Sequence, residues 1–391
     1  MTGRERILAL FEGRRPDRVP VHHLQFSGHA ARVILGREAC VGGAHVQWLE
    51  LQALWQGADE HRAFEAQCEA DAVAIAEACG HDMLRLRYWR WPREIAPVAR
   101  LGDDAFRVRH PGGAEQVVRY DRGLELLLWE GGVATSQLTG AAVSGEPSED
   151  DLHRRVAAAE AVAAAYAPPR GPDPAMAAMV RKYPRYLVRL GLPSPQVDMA
   201  SEKELAEIAL WPGLFGRLLL AQGRRQAADL AAMAAAGAAV NFTGCDFCSA
   251  QGPCVSPAMF RQAILPALQA YVAEGHRHGL RAVYGCDGNI WPLAGMLFDE
   301  IGLDGWIEVD KSAGMDLREL RRRYPRQVFF GNIPVQVLHH GTADDVRREA
   351  LECLEAAHEA GGIVVGCSNM IMPGTPPANI EALLAALAQV R

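Results

Sequence analysis

Four short segments in the second half of the chain end an apolar run on groups that can do chemistry. They are Cys245-Asp246-Phe-Cys248, Cys286-Asp287, Glu308-Val-Asp310 and Cys367-Ser-Asn369, with Asn332 closing a fifth run. Cysteine thiolates drawn from separate strands suit zinc, which takes sulfur and nitrogen ligands tetrahedrally at S–Zn distances of roughly 2.3 Å. On that reasoning Cys286, Cys367, Cys245 and Cys248 are the expected metal ligands. An open fourth position would let the metal hold a thiol substrate as a nucleophile. The carboxylates beside the thiols, Asp246, Asp287 and Glu308, are the expected acid–base groups. His22 and His23, near the end of an early apolar run, join Asn332 and Asn369 as groups that would orient a substrate. Cys245-x-x-Cys248 reads equally as two small loop residues, because a structural zinc knuckle needs a second close pair and none exists. Cys40, Cys68, Cys79 and Cys353 read as core or surface thiols, and Cys254 as a loop residue. His276, His278, His339 and His340 sit near helix carboxyl ends, where the dipole favours a cation.

The elements that must position these groups are most regular from about Ala221 onward. Helical stretches alternate with the apolar runs at 238–245, 282–286, 305–309, 327–332 and 362–367. Five such alternations require a parallel sheet covered by helices. With the run at 15–26 and a plausible strand at 185–191, the count points to an α/β fold, a (β/α)8 TIM-type barrel over 1–391. A doubly wound sheet has little support, since no Gly-x-Gly-x-x-Gly turn follows any strand. In a barrel the groups at strand carboxyl ends face the ligand crevice. Residues 83–135 differ: Phe106-Arg-Val-Arg-His110 and Gln116-Val-Val-Arg-Tyr120, joined by Pro111-Gly-Gly113, predict an antiparallel β-hairpin insertion. Residues 71–76 fit strand or helix.

The composition excludes several classes. Forty-seven acidic against forty basic residues give a net charge of -7, with no basic face for nucleic acid. The amino terminus is charged at once and does not resemble a signal peptide, and the stretch 218–242 is interrupted by Arg224, Arg225 and Asp229, too polar for a membrane span. A cytoplasmic protein is expected, with nine reduced cysteines rather than a disulfide framework.

Several motifs carry a family resemblance. Arg4-Glu-Arg-Ile7 with Pro16-Asp-Arg-Val-Pro-Val21, Gly252-Pro-Cys-Val-Ser-Pro-Ala-Met-Phe-Arg-Gln-Ala-Ile-Leu-Pro266, Asp287-Gly-Asn-Ile290, Gly331-Asn-Ile333 and Pro373-Gly-Thr-Pro-Pro377 are similar to the uroporphyrinogen decarboxylase superfamily. The resemblance implies one (β/α)8 barrel and either of two chemistries. One is cofactor-free decarboxylation of a porphyrinogen. The other is zinc-dependent methyl transfer between a corrinoid protein and coenzyme M or tetrahydrofolate. Decarboxylases carry Arg-Gln-Ala-Gly-Arg after the first strand, where this chain has Leu24-Gln-Phe-Ser-Gly-His-Ala-Ala-Arg32; a polycarboxylate then lacks bidentate partners there. Coenzyme-M-type members carry His-x-Cys before a glycine. Alignment on Gly288 puts Gly285 and Asp287 at those places, with Cys286 one residue out of register, whereas Cys367 matches the thiol of the last strand.

The expected activity is zinc-assisted methyl transfer between a small methylated substrate or corrinoid protein and a thiol or folate. The alternatives are a metal-independent decarboxylase of a small acid, with Asp246 or Asp287 as proton donor, and a non-catalytic ligand- or metal-binding barrel. The chain has no corrinoid-binding Asp-x-His-x-x-Gly, since Asp59-Glu-His61 runs on to Phe64, so a corrinoid would arrive on a separate protein. A homodimer is an open expectation.

Overall fold

The computed structural model describes residues 1–86, 95–110, 113–130 and 145–390. Among the described residues its centre is seven parallel strands and one extended segment, taken in chain order as strands one to eight. The fourth to eighth, Val240–Gly244, Arg281–Gly285, Gly305–Ile307, Val328–Phe330 and Ile363–Val364, form one continuous ladder in chain order. The second and third, Met83–Leu84 and Leu187–Val188, pair in parallel, and Leu190 bridges to Asn241 of the fourth. The extended segment 19–24, which stands first in that order, lies between the eighth strand and the second. It bridges the eighth at Val21 and Val365, and the Asp82 amide donates to the Val21 carbonyl at 2.9 Å on its other side.

Where that last joint is thin in backbone bonds, side chains complete it. The Val21 amide donates to the Asp82 carboxylate (3.0 Å) and the His23 amide to His81 Nε2 (3.1 Å). The same buried Asp82 accepts from Arg6 and Arg18, which ties the amino-terminal helix Gly3–Phe11 under the barrel.

Alternation along each strand divides the apolar residues into two layers. Leu24, Met83, Leu187, Phe242, Val283 and Phe330 are among those filling the barrel interior. Residues an odd number of positions away, such as Val21, Tyr284, Trp306 and Val365, pack outward against the helices. Each fully buried aliphatic side chain contributes roughly 1.5–3 kcal/mol of transfer free energy, so a shift of one residue on any strand would be costly.

The helices have local causes. Ser148 caps Glu149–Ala165 and Ser201 caps Glu202–Leu210 by accepting an amide hydrogen of the first turn, and Thr342 closes a capping box on Ala343–Ala360. Residues 71–76 belong to the helix Ala58–Ala78, whose buried Phe64, Cys68, Ala72, Ile75 and Ala76 recur at helical spacing.

Within 83–135 lies an antiparallel sheet. Met83–Leu84 is the second barrel strand. The inserted sheet comprises Ala96–Arg100, Ala105–Arg109, Glu115–Asp121 and Leu126–Trp129. The turn residues Pro111 and Gly112, and 131–135, lie outside the described residues. Phe106, Val118 and Tyr120 from this sheet pack on Trp48 and Leu51 of the helix Ala44–Gln56. Glu125 then accepts the amides of Gly28 and His29, each at 2.6 Å, at the start of the helix that follows the first strand.

Candidate active site

The strand ends carry the expected groups, but alternation sends them to opposite sides of the sheet. Val240 and Phe242 face the interior, so Asp246, four residues on, continues that face, as Asp287 does after Val283. Cys245 and Cys286, each one residue earlier, pack with the outer layer.

Glu308 reaches the interior by a different device. Ile307 faces inward, so an ordinary strand would turn Glu308 out. Its φ of 75° is left-handed and reverses the alternation, leaving Val309 in the outer layer. A non-glycine residue in that region is strained, and such strain gathers at functional sites. Gly285 on the next strand makes the room, since a Cβ there would stand 3.0 Å from Glu308 Oε2 and 2.9 Å from Ile307 Cγ2.

Asp246, Asp287 and Glu308 thus offer one oxygen each within 4.8 Å of one another. The three expected acid–base groups are brought together. Burial and the neighbouring Asp287 push Glu308 up to about 8, so it keeps its proton at neutral pH. Burial likewise pushes Asp287 up to about 6, against the Asn369 amide, which donates to its Oδ2 at 2.6 Å.

The four expected metal-binding thiols do not converge. Cys245 donates to the Val197 carbonyl at 3.2 Å. Cys286 lies beside Cys248, and its sulfur accepts the Phe247 amide at 3.3 Å. Cys367 faces the outer layer near Cys79 and Cys353. Burial pushes the Cys245 thiol up to about 12 and that of Cys367 well above its ordinary value. Cys286 is raised first by the Cys248 thiol and then by burial. In these contacts the thiols pack as core side chains and do not present one shared set of donor atoms. They stand apart because an outward-facing sulfur lies across the sheet from the mouth.

Of the expected substrate-orienting groups, His22 and Asn369 lie on the mouth side. His23 faces outward onto Phe26 and His81, and Asn332 is spent on packing, donating to the Met315 carbonyl at 3.0 Å.

A second cluster, His23, Cys79 and His81, also holds donor atoms within 4.8 Å. Both imidazoles, however, already spend a lone pair on the backbone: His23 Nδ1 accepts the Cys367 amide and His81 Nε2 the His23 amide, both at 3.1 Å. A neutral imidazole has one such lone pair. The cluster is accordingly a latch joining strands one, two and eight.

Arg85 and Arg189 were not expected from the sequence. Each follows an inward-facing residue by two positions, Met83 and Leu187, and each donates to the Leu24 carbonyl, at 3.0 and 3.5 Å. The available signal was an arginine inside an otherwise apolar strand, Met83-Leu-Arg-Leu86 and Leu187-Val-Arg-Leu190.

Fold and site together define a (β/α)8 barrel whose ionisable groups meet at the carboxyl ends of its strands, the face on which such barrels act. Residues 205–390, which hold strands four to eight, match the family model of uroporphyrinogen decarboxylase (URO-D). Among solved structures, a methyltransferase from Methanosarcina mazei is similar over 100% of this chain and 99% of its own, with a TM-score of 0.59 and 21% identity. A D-psicose 3-epimerase solved with D-fructose is similar over 63% of this chain and 95% of its own, at 12% identity and a TM-score of 0.32, too low to carry an argument. None of the curated proteins compared matches. Among the described residues no helix is long and apolar enough to cross a membrane.

Proposed function

We propose that the chain is a methyltransferase that takes the methyl group of a small methylated substrate at the barrel mouth, with Glu308 as general acid. The observation carrying this reading is a half-buried carboxyl, pushed up to about 8, held by a strained backbone over the place where a substrate enters. The full-length likeness to a methyltransferase supports it.

Methyl transfer is an in-line displacement, and an ether or amine is a poor leaving group until its heteroatom gains a proton. Glu308 supplies that proton as the bond to the methyl carbon breaks. The nucleophile's electron pair forms the new bond, and Glu308 is left as a carboxylate beside Asp287. That anion is disfavoured there, so reprotonation from solvent is rapid. Asp287, oriented by Asn369, and Asp246 supply the field that keeps the proton on Glu308.

The acceptor reaches the open mouth from outside, as a corrinoid on a separate protein, a thiol or a folate. Thiolate-bound zinc does not fit these residues, and no step runs through it.

The test is to mix the purified protein with methoxy and methylamino compounds and cob(I)alamin, following methylcobalamin by absorbance. Methyl transfer that is lost in Glu308→Gln supports the reading. No transfer from any compound, with carbon dioxide released from small carboxylic acids instead, replaces it with decarboxylation.

A further inference from the structure

The inserted antiparallel sheet stands on the face where the carboxyls meet. It falls in the chain between strand two and the helix Glu149–Ala165, so it belongs to the loop leaving the carboxyl end of strand two, the side on which such barrels carry their covers. It does not share the barrel's core. Phe106, Val108, Val118, Tyr120 and Leu127 close instead on Trp48 and Leu51 of the helix Ala44–Gln56, with Trp48 stacked on Tyr120 at 5.4 Å between ring centres. Sheet and helix thus form one body with an apolar centre of its own.

Both ends of that helix are glycines. Gly43 stands at its N-cap directly after Gly42, Gly57 ends it, and Gly42 and Gly57 hold φ of 120° and 130°. A Cβ on Gly57 would meet nothing within 4 Å, so the space beside it is open. Glycine turns in that region at little steric cost, which is what a hinge needs. The other side of the helix rests on Ala58–Ala78 through a small cluster, Val46, Ala53, Phe64 and Cys68.

Glu125, in the turn before the sheet's last strand, fastens this body to the rim. Its two carboxylate oxygens each accept one amide, from Gly28 and His29, at 2.6 Å, at the positive end of the helix Gly28–Leu35. Its φ of 48° is left-handed, and such strain is retained where a side chain must be aimed. His45, in the first turn of Ala44–Gln56, fits against Gly28, where a Cβ would stand 2.5 Å from its ring, and meets Tyr120 Oη at 3.0 Å. Glu125 is only half-buried, so water can replace it on the two amides when it leaves. The fastened segment also leads to the site: Gln25 and Phe26 pair with Met370 and Ile371, the Met370 amide donates to Asn369 Oδ1, and Asn369 donates to Asp287, both at 2.6 Å.

We infer that the inserted sheet and the helix Ala44–Gln56 form a lid on the barrel mouth, hinged at Gly42–Gly43 and at Gly57 and latched by Glu125 on the amides of Gly28 and His29. The lid swings whole because its apolar centre is its own, and it opens by exchanging two carboxylate bonds for bonds to water. Opening widens the way to Glu308 for whatever enters. The lid goes beyond the methyltransferase reading and stands whichever reaction the mouth performs.

The test compares the full chain with Glu125→Gln by hydrogen exchange read by mass spectrometry, and by amidation of carboxyls with a water-soluble carbodiimide and glycinamide. The amides of Gly28 and His29 exchange several-fold faster in the variant, as do those of Gln47 and Gly57, whose bonds to the Gly43 and Ala53 carbonyls lie at the two hinges. The strands Ala105–Arg109 and Glu115–Asp121 keep their protection because the lid moves as one piece. Amidation of Glu308 quickens several-fold, while that of the exposed Asp103 is unchanged. Glu125→Asp, which keeps the charge and draws it back by one methylene, gives the same pattern to a smaller degree and guards against a variant that fails to fold. Lost protection in the two strands would make Glu125 a prop for the fold of the sheet, unchanged exchange at Gly28 and His29 would remove the latch, and an unchanged rate at Glu308 would mean that the sheet does not cover the mouth. Each of these overturns the lid.

Discussion

Two chemistries share the same strand ends and lie one residue apart. On the inner face Asp246 and Asp287 meet Glu308 above Arg85 and Arg189; on the outer face Cys245, Cys286 and Cys367 are packed among apolar side chains. The inner groups are partly open to water, so they can exchange protons with it. Of the outer ones Cys286 and Cys367 are buried and Cys245 is half-buried, and burial holds a thiol in its neutral form. Residue type alone therefore does not decide function on a barrel strand. The side of the sheet does, and where a single left-handed residue reverses the alternation, as at Glu308, the side depends on one dihedral angle.

The largest effect that would break this comparison is on Glu308. If it is the general acid, Glu308→Gln lowers kcat by about 10²–10⁴-fold with KM changed far less. The wild-type rate falls as pH rises through about 8, where Glu308 loses its proton. Steady-state kinetics across pH 6 to 9 checks both; a flat alkaline limb would remove Glu308 from the chemistry. Gly285→Ala should then displace the Glu308 carboxyl without touching a charge, and a loss of about ten-fold in kcat is expected from misplacement of that order.

The two faces also give opposite pH dependences of stability. His23 accepts the Cys367 amide as a neutral ring, and burial lowers it to about 4 from an ordinary 6.5. Between those values the unfolded chain binds a proton that the folded chain does not. Its contribution is thus complete above pH 6.5 and is lost as pH falls toward 4, about 3 kcal/mol in all. Glu308 works in the other sense: from pH 4.5 to about 8 the folded protein holds a proton that the unfolded chain has released, so stability falls as pH rises. Because part of this carboxyl reaches solvent, about 2 kcal/mol is expected there. Urea titrations from pH 4 to 9 should show His23→Asn, which keeps an acceptor for the Cys367 amide, flattening the acid limb. Glu308→Gln should flatten the alkaline one. Exchange of these two outcomes would mean that the faces are assigned the wrong way round.

The alternation of apolar runs with helices was legible from residue 221 onward because those strands are fully apolar and well spaced. Strand three was legible as the run 185–191, whereas strand two was obscure because it is two residues long and is followed at once by Arg85, which reads as surface. Asp246, Asp287 and Glu308 were legible as a group since they end successive strands. What misled was the thiol beside each aspartate. With both faces of the sheet buried, no polar alternation marks which of two neighbours looks into the barrel, and His22 and His23 posed the same ambiguity. The left-handed turn that brings Glu308 inward has no sequence signature, since glycine, the usual mark of such a conformation, is absent at that position.

The smallest expected effect tests the outer face directly. Cys367 has the most ligand-like place in the sequence, yet its sulfur lies among core side chains near Cys353 and Cys79. Cys367→Ala should therefore cost only a small cavity, about 1–2 kcal/mol in a denaturant titration, and change kcat by less than about two-fold. Elemental analysis of protein purified without added metal supplies the decisive readout, because a packing thiol and a metal ligand differ there by a whole ion. One zinc per chain that disappears in Cys367→Ala would mean that the sulfur turns toward the mouth when metal is present, and the division between wet carboxylates and dry thiols would fail at the eighth strand. An unchanged metal content with a modest loss of stability leaves the thiols as the hydrophobic backing of the sheet, with proton transfer assigned to the three carboxyls across it.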